Sequence, residues 1–142
     1  MSVDWLSGQP SDRRIVEPGE HGTYPSPTVP AVAVGGLVLT SGLVGMDTDR
    51  SLAPEGVQAQ AAQALRVIEL ALGAVGAGLC DVVRLTVHLT SAADIPAASA
   101  ALDEAFGRPW PPTTMVAVVA LANPELLVEI DCVAATPAVQ RG

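Results

Sequence analysis

Hydrophobic and polar positions follow two periods along this chain, and the changes between them mark out its elements. Over residues 82–90 the alternation is strict, with Val83, Leu85, Val87 and Leu89 on one side and Arg84, Thr86, His88 and Thr90 on the other. A period of two is a strand with one buried and one more polar face. Over 57–75 the period is helical. Val57, Ala61, Ala64, Leu65, Ile68, Leu72 and Val75 recur every three or four residues, while Gln58, Gln63, Arg66 and Glu69 lie largely elsewhere on the wheel. Gly76 and Gly78 then supply a stop.

Turn chemistry places the other elements. The apolar runs 31–34 and 37–40 flank Gly35-Gly36 and predict a hairpin. Residues 13–16 suit a short edge strand, and 46–54 read as a loop. Between Tyr24 and Pro30 three prolines fix φ and remove donors, which predicts an extended surface segment. Asp94 is a candidate N-cap with Pro96 in the first turn, and the second helix runs to Phe106 before Gly107. A stiff connection, 108–112, leads to strands over 114–121 and 126–134, joined by an Asn123-Pro124 turn. The expected fold is α+β, a mixed β-sheet with two helices packed on one face. It divides into an N-terminal extension (1–12), one domain (13–135) and a C-terminal tail (136–142).

Composition narrows the classes of function. The 142 residues are 49% hydrophobic and 15% charged, enough to bury a core. A net charge of −8 gives no basic footprint for nucleic acid, so no nucleic-acid partner is expected. A surface poor in charge points instead to apolar area buried between subunits. Cys80 and Cys132 lack metal-ligand spacing and read as reduced, packed thiols of a cytoplasmic protein. No signal peptide is visible. The longest apolar stretch, 31–46, is interrupted by Gly, Ser and Thr and is too short to span a membrane. No metal or other cofactor is expected.

Three segments resemble the RidA (YjgF) family. Ser41-Gly42 ends a strand as the family's Ser-Gly-Gln does. The passage 76–90 resembles its Gly-Ala-x-Leu-x-Asp-Val-Val-Lys-x-Thr-Val-Tyr-Leu-Thr signature, and 127–134 its Val-Glu-Ile-x-x-x-Ala ending. The likeness covers roughly 13–135 in one order. It implies a homotrimer with a barrel-like core and small-molecule sites in the clefts between subunits. It also implies hydrolysis of imines or enamines derived from amino acids, releasing ammonia. In such proteins an arginine grips the substrate carboxylate, a last-strand glutamate positions water, and a tyrosine and the Ser-Gly turn line the pocket.

Carried over residue by residue, Glu129 takes the glutamate position, and Ser41 and Gly42 the turn. Leu43 replaces the Gln, and Val67 and Ser99 stand where asparagines are common. Pro111-Pro112-Thr113-Thr114 matches the arginine motif with Thr113 in the arginine's place. The tyrosine position falls to Tyr24 or, without a gap, to Thr28. A guanidinium offers a carboxylate a charged two-donor fork and a threonine offers one neutral hydroxyl, so the resemblance implies an atypical, less anionic substrate.

The residues can also be read on their own chemistry. Glu129 is a carboxylate in an apolar strand and the catalytic candidate, since a partly buried carboxylate is a good acceptor for a proton of water. Its bland alternative is a carboxylate merely paired or solvated at a subunit edge. Thr113 and Thr114 offer hydroxyl donors or simply suit a strand start. His88 offers an acid–base group or a hydrogen-bonded face residue. Gly73-Ala74-Val75-Gly76-Ala77-Gly78 ends a helix, so it is no dinucleotide fingerprint, which must open one. The family's ribonuclease label finds no support in a −8 chain with two histidines. Two functions stay open: a RidA-like hydrolase, or a trimeric small-molecule-binding or regulatory protein that keeps the fold without the chemistry.

Overall fold

β1 (Arg14–Val16) pairs antiparallel with β2 (Ala31–Val34), and β2 with β3 (Leu37–Thr40). Gly35 and Gly36 join the last two with φ of 60° and 79°, the left-handed pair that a tight hairpin turn requires. This computed structural model describes residues 5, 12–53 and 56–136. The expected terminal segments, 1–12 and 136–142, lie outside that set apart from Trp5, Asp12 and Thr136.

The remaining order is α1 (Gly56–Gly73), β4 (Val82–Leu89), α2 (Ile95–Phe106), β5 (Thr113–Ala117) and β6 (Val128–Ala135). The six strands form one sheet in the order β1-β2-β3-β6-β4-β5, parallel only between β4 and β5. Both helices cover one face, so the α+β reading with two helices on a mixed sheet holds. Under them Val38, Leu85, Val87, Leu89, Val128 and Ile130 are fully buried against Leu65, Ile68 and Leu72 of α1.

The opposite face has no second layer among the described residues. Leu37, Leu39 and Val116 are 43%, 41% and 39% exposed there. Register places Arg84, Thr86, His88, Glu129, Asp131, Val133 and Thr114 on the same face.

Several boundaries differ from expectation for physical reasons. Strict alternation in β4 breaks at its start: Val82 is opposite Ala134 and Arg84 opposite Val133, so Val83 is an extra residue in a bulge and is 45% exposed. β5 stops at Ala117 rather than 121, because β4 ends at Leu89 and an edge strand cannot outrun its only partner. Asp94 is the N-cap residue of α2, with Pro96 in the first turn as expected, but its side chain makes no cap bond. A 3₁₀ turn over Ala92–Asp94 precedes α2, and Ser91 accepts the Ala93 amide instead. Cys80 is exposed, not packed, while Cys132 is buried.

Candidate active site

The site grows from a bulge where β3 meets β6. Leu39 pairs with Val133 and Leu43 with Ile130, so one segment advances four residues where the other advances three. Leu43 and Ile130 exchange both backbone hydrogen bonds, at 2.8 and 2.9 Å. Within the bulge Thr40 Oγ1 accepts from the Cys132 amide (2.9 Å), so that amide is not stranded. The extra residue sets Gly42 directly beside Glu129. A Cβ on residue 42 would lie 1.9 Å from Glu129 Oε1 and 2.6 Å from its Cδ. The half-buried Glu129 carboxylate therefore lies over bare backbone, in space that only glycine leaves open.

The start of β6 is held by Gln60, buried on the apolar face of α1. Its Nε2 donates to the Glu125 carbonyl (3.0 Å) and its Oε1 accepts from the Leu127 amide (2.9 Å). This clamp, two residues before Glu129, escaped the sequence reading. The available signal was a polar residue in the same helical stripe as Ala64 and Val67.

Tyr24 is buried, and its hydroxyl accepts from the Val44 amide (3.1 Å). Burial pushes its phenol up and the Glu129 charge pushes the same way, against the Val44 amide and Arg50. Tyr24 therefore stays a neutral donor, and no acceptor takes its proton among the described residues. Tyr24 and Thr28 both line a narrow crevice with Gly42 and Leu43. The structure thus puts both candidates for the tyrosine position near the turn, and Tyr24 within electrostatic reach of Glu129.

The other candidates are placed differently. Ser41 is at the turn, but its hydroxyl donates to the Val29 carbonyl and its amide to the Pro30 carbonyl, which ties down the proline segment. His88 is the direct cross-strand partner of Glu129. Thr113 is opposite Leu85, whose side chain is buried under the helices, so Thr113 and Glu129 belong to opposite faces of the sheet. The Thr113 hydroxyl donates to the Pro111 carbonyl (2.8 Å). Thr114 is on the Glu129 face, two strands away, and accepts from Arg84 (2.8 Å).

Arg108, five residues before Thr113, is engaged elsewhere: its Nε and second terminal nitrogen donate to Asp103 at 2.7 and 3.1 Å. That fork holds the Asp103 carboxyl below its usual range, with a lesser contribution from Trp110. The larger surface grooves lie on the helix side, between α1 and α2 and between α1 and the 47–53 loop, away from Glu129. No group of three or more His, Cys, Asp or Glu suited to a metal occurs among the described residues. No helix among them is long and apolar enough to cross a membrane.

The chain is similar in sequence and in fold to known proteins. The sequence profile described as "Endoribonuclease L-PSP" matches residues 22–136. A RutC family protein of Synechocystis is 34% identical over 118 residues, 80% of this chain and 91% of that protein. A 2-iminobutanoate/2-iminopropanoate deaminase of Dermatophagoides farinae is 31% identical over 104 residues, 72% of this chain and 80% of its own. The crystal structure of a YjgF-family protein from Mycobacterium tuberculosis superposes with a TM-score of 0.73 at 34% identity, covering 87% of this chain and 99% of that one.

Proposed function

The chain belongs to the endoribonuclease L-PSP family, the RidA or YjgF group, and from that membership and its site we propose a small-molecule hydrolase acting on imines or enamines in clefts between the copies of a homotrimer. Glu129 takes a proton from the attacking water. The Gly42 turn gives the carboxylate its seat, and Tyr24 supplies a neutral hydrogen-bond donor nearby. The observation that carries the reading is Glu129 lying over Gly42 on a sheet face that also exposes Leu37, Leu39 and Val116. A face that ends in exposed leucines is completed by another copy.

Two copies would also join what one chain keeps apart. Thr113 and Glu129 are on opposite faces here, so a site using both must take them from different chains. With Thr113 in place of a guanidinium, the substrate is a neutral or weakly anionic imine or carbonyl compound. The charge of −8 and the two histidines, His21 and His88, favour such small molecules over RNA. A cytoplasmic setting fits the two unbonded cysteines.

A second reading, a trimeric binding or regulatory protein, is favoured by one observation. The Thr113 hydroxyl is spent on its own chain, so the anchor position offers neither charge nor a free donor. Ammonia release from a panel of neutral and anionic imines decides between the two. We expect turnover of a neutral imine that falls by about 10²–10⁴-fold in Glu129→Ala, the usual worth of a positioned base. Undiminished turnover in that variant would remove Glu129 from the mechanism, and no turnover on the whole panel would favour the binding protein.

A further inference from the structure

Beside Glu129 sits an imidazole with an unmet need. His88 Nδ1 is screened from solvent and has no hydrogen-bond partner. A buried polar atom without a partner is costly, so a partner is to be expected close by. The Asp131 carboxylate faces it, with Oδ2 3.9 Å away, too far for a bond. His88 and Glu129 face each other across the β4–β6 ladder, where paired Cβ atoms stand about 4.5–5.5 Å apart. The charged groups on this face around His88 are Glu129 and Asp131 from β6 and Arg84 from its own strand. From β5 come Val116 and Thr114, neither charged.

We propose that His88, oriented by Asp131, is the second proton-transfer residue of this site. The inference rests on the imine-hydrolase reading, and it answers a demand of that chemistry which Glu129 cannot meet alone. Hydrolysis of an imine needs a proton delivered to nitrogen while another leaves water. An Nδ1–H bond to Asp131 fixes the tautomer and leaves Nε2 to face the substrate.

In the first step the imidazolium gives its Nε2 proton to the imine nitrogen. Water oxygen bonds to the imine carbon, the C=N double bond becomes single, and Glu129 takes the water proton. In the second step Glu129 returns its proton to the amino nitrogen. The hydroxyl proton goes to Nε2 as the C=O double bond forms and the C–N bond breaks. Ammonia and the carbonyl product leave, and both side chains regain their starting states.

The test has two arms. Long-range ¹H–¹⁵N spectra distinguish imidazole tautomers, and the chain has only two histidines to assign, with His88→Gln identifying the signal. We expect neutral His88 to carry its proton on Nδ1 and to shift to the Nε2–H form in Asp131→Asn. A wild-type Nε2–H form, or a tautomer indifferent to Asp131→Asn, overturns the pairing. In the second arm kcat/KM on a neutral imine is measured against pH. Loss of the alkaline limb in His88→Gln, with a fall of about a hundredfold or more, supports the role. An unchanged profile refutes it even where Glu129→Ala is dead. If the wild-type protein hydrolyses no imine, the functional reading falls and this role with it, while the spectra still decide whether the pair exists.

Discussion

Glu129 lies where a side chain of residue 42 would otherwise be: the glycine is small so that the carboxylate can rest on its backbone. The clashing atoms belong to the free end of a flexible side chain, so a methyl group at position 42 can be accommodated by expelling the carboxylate. Gly42→Ala should therefore leave unfolding free energy within about 1 kcal/mol of wild type, as for substitutions outside the core. It should also cut imine turnover nearly as far as Glu129→Ala, with little further loss in the double variant. Chemical denaturation and ammonia release measure the two halves. A fully active Gly42→Ala protein would show that the position of the carboxylate does not matter.

Gln60 links the helix layer to this site. Gln60→Leu keeps the size of the side chain and leaves the Glu125 carbonyl and the Leu127 amide unpaired. At about 1–3 kcal/mol for each of the two stranded groups, we expect a loss of about 2–6 kcal/mol in urea unfolding. A loss under 0.5 kcal/mol would mean that water replaces both bonds.

Thr113 marks the missing charge. If the anchor alone is absent, Thr113→Arg should raise kcat/KM on 2-iminopropanoate about ten- to a hundredfold, the worth of one charge-assisted hydrogen bond. A folded Thr113→Arg protein with no gain would place the substrate preference elsewhere.

Burial pushes the Cys132 thiol from its ordinary value of 9.0 up to about 11. A raised value means that the folded state holds the proton more tightly. The resulting stability is complete below pH 9 and is lost as pH climbs to about 11. Two units correspond to about 2–3 kcal/mol. Cys132→Ala should flatten that alkaline decline in denaturation experiments. The buried Tyr24 phenol, also raised, keeps part of the slope at higher pH. An identical slope in wild type and variant would mean that the thiol ionises without opening the fold.

Much of this architecture was legible because local rules and tertiary packing agree. The α1 stripe, the Gly35-Gly36 hairpin and the alternation of β6 each have one solution once a face is buried. The misses are places where a partner decides. β5 is as long as β4 allows, the bulge at Val83 is set by its pairing with β6, and Asp94 sits at the N-cap of α2 without the side-chain bond expected of it. At the site, Glu129 stood out as a carboxylate in an otherwise largely apolar strand, and Gly42 through its motif. The use of Gly42 as a seat, the clamp by Gln60 and the cross-strand pairing of His88 with Glu129 depend on register, which no single segment reveals.

The account needs the bare sheet face, with Leu37, Leu39 and Val116, to be covered by other copies of the chain so that Glu129 ends in a closed crevice. Light scattering coupled to size exclusion, at micromolar protein, measures this most directly. We predict about 43 kDa, three times the 14.4 kDa of one chain. A mass of 14.4 kDa across the accessible concentrations would contradict it.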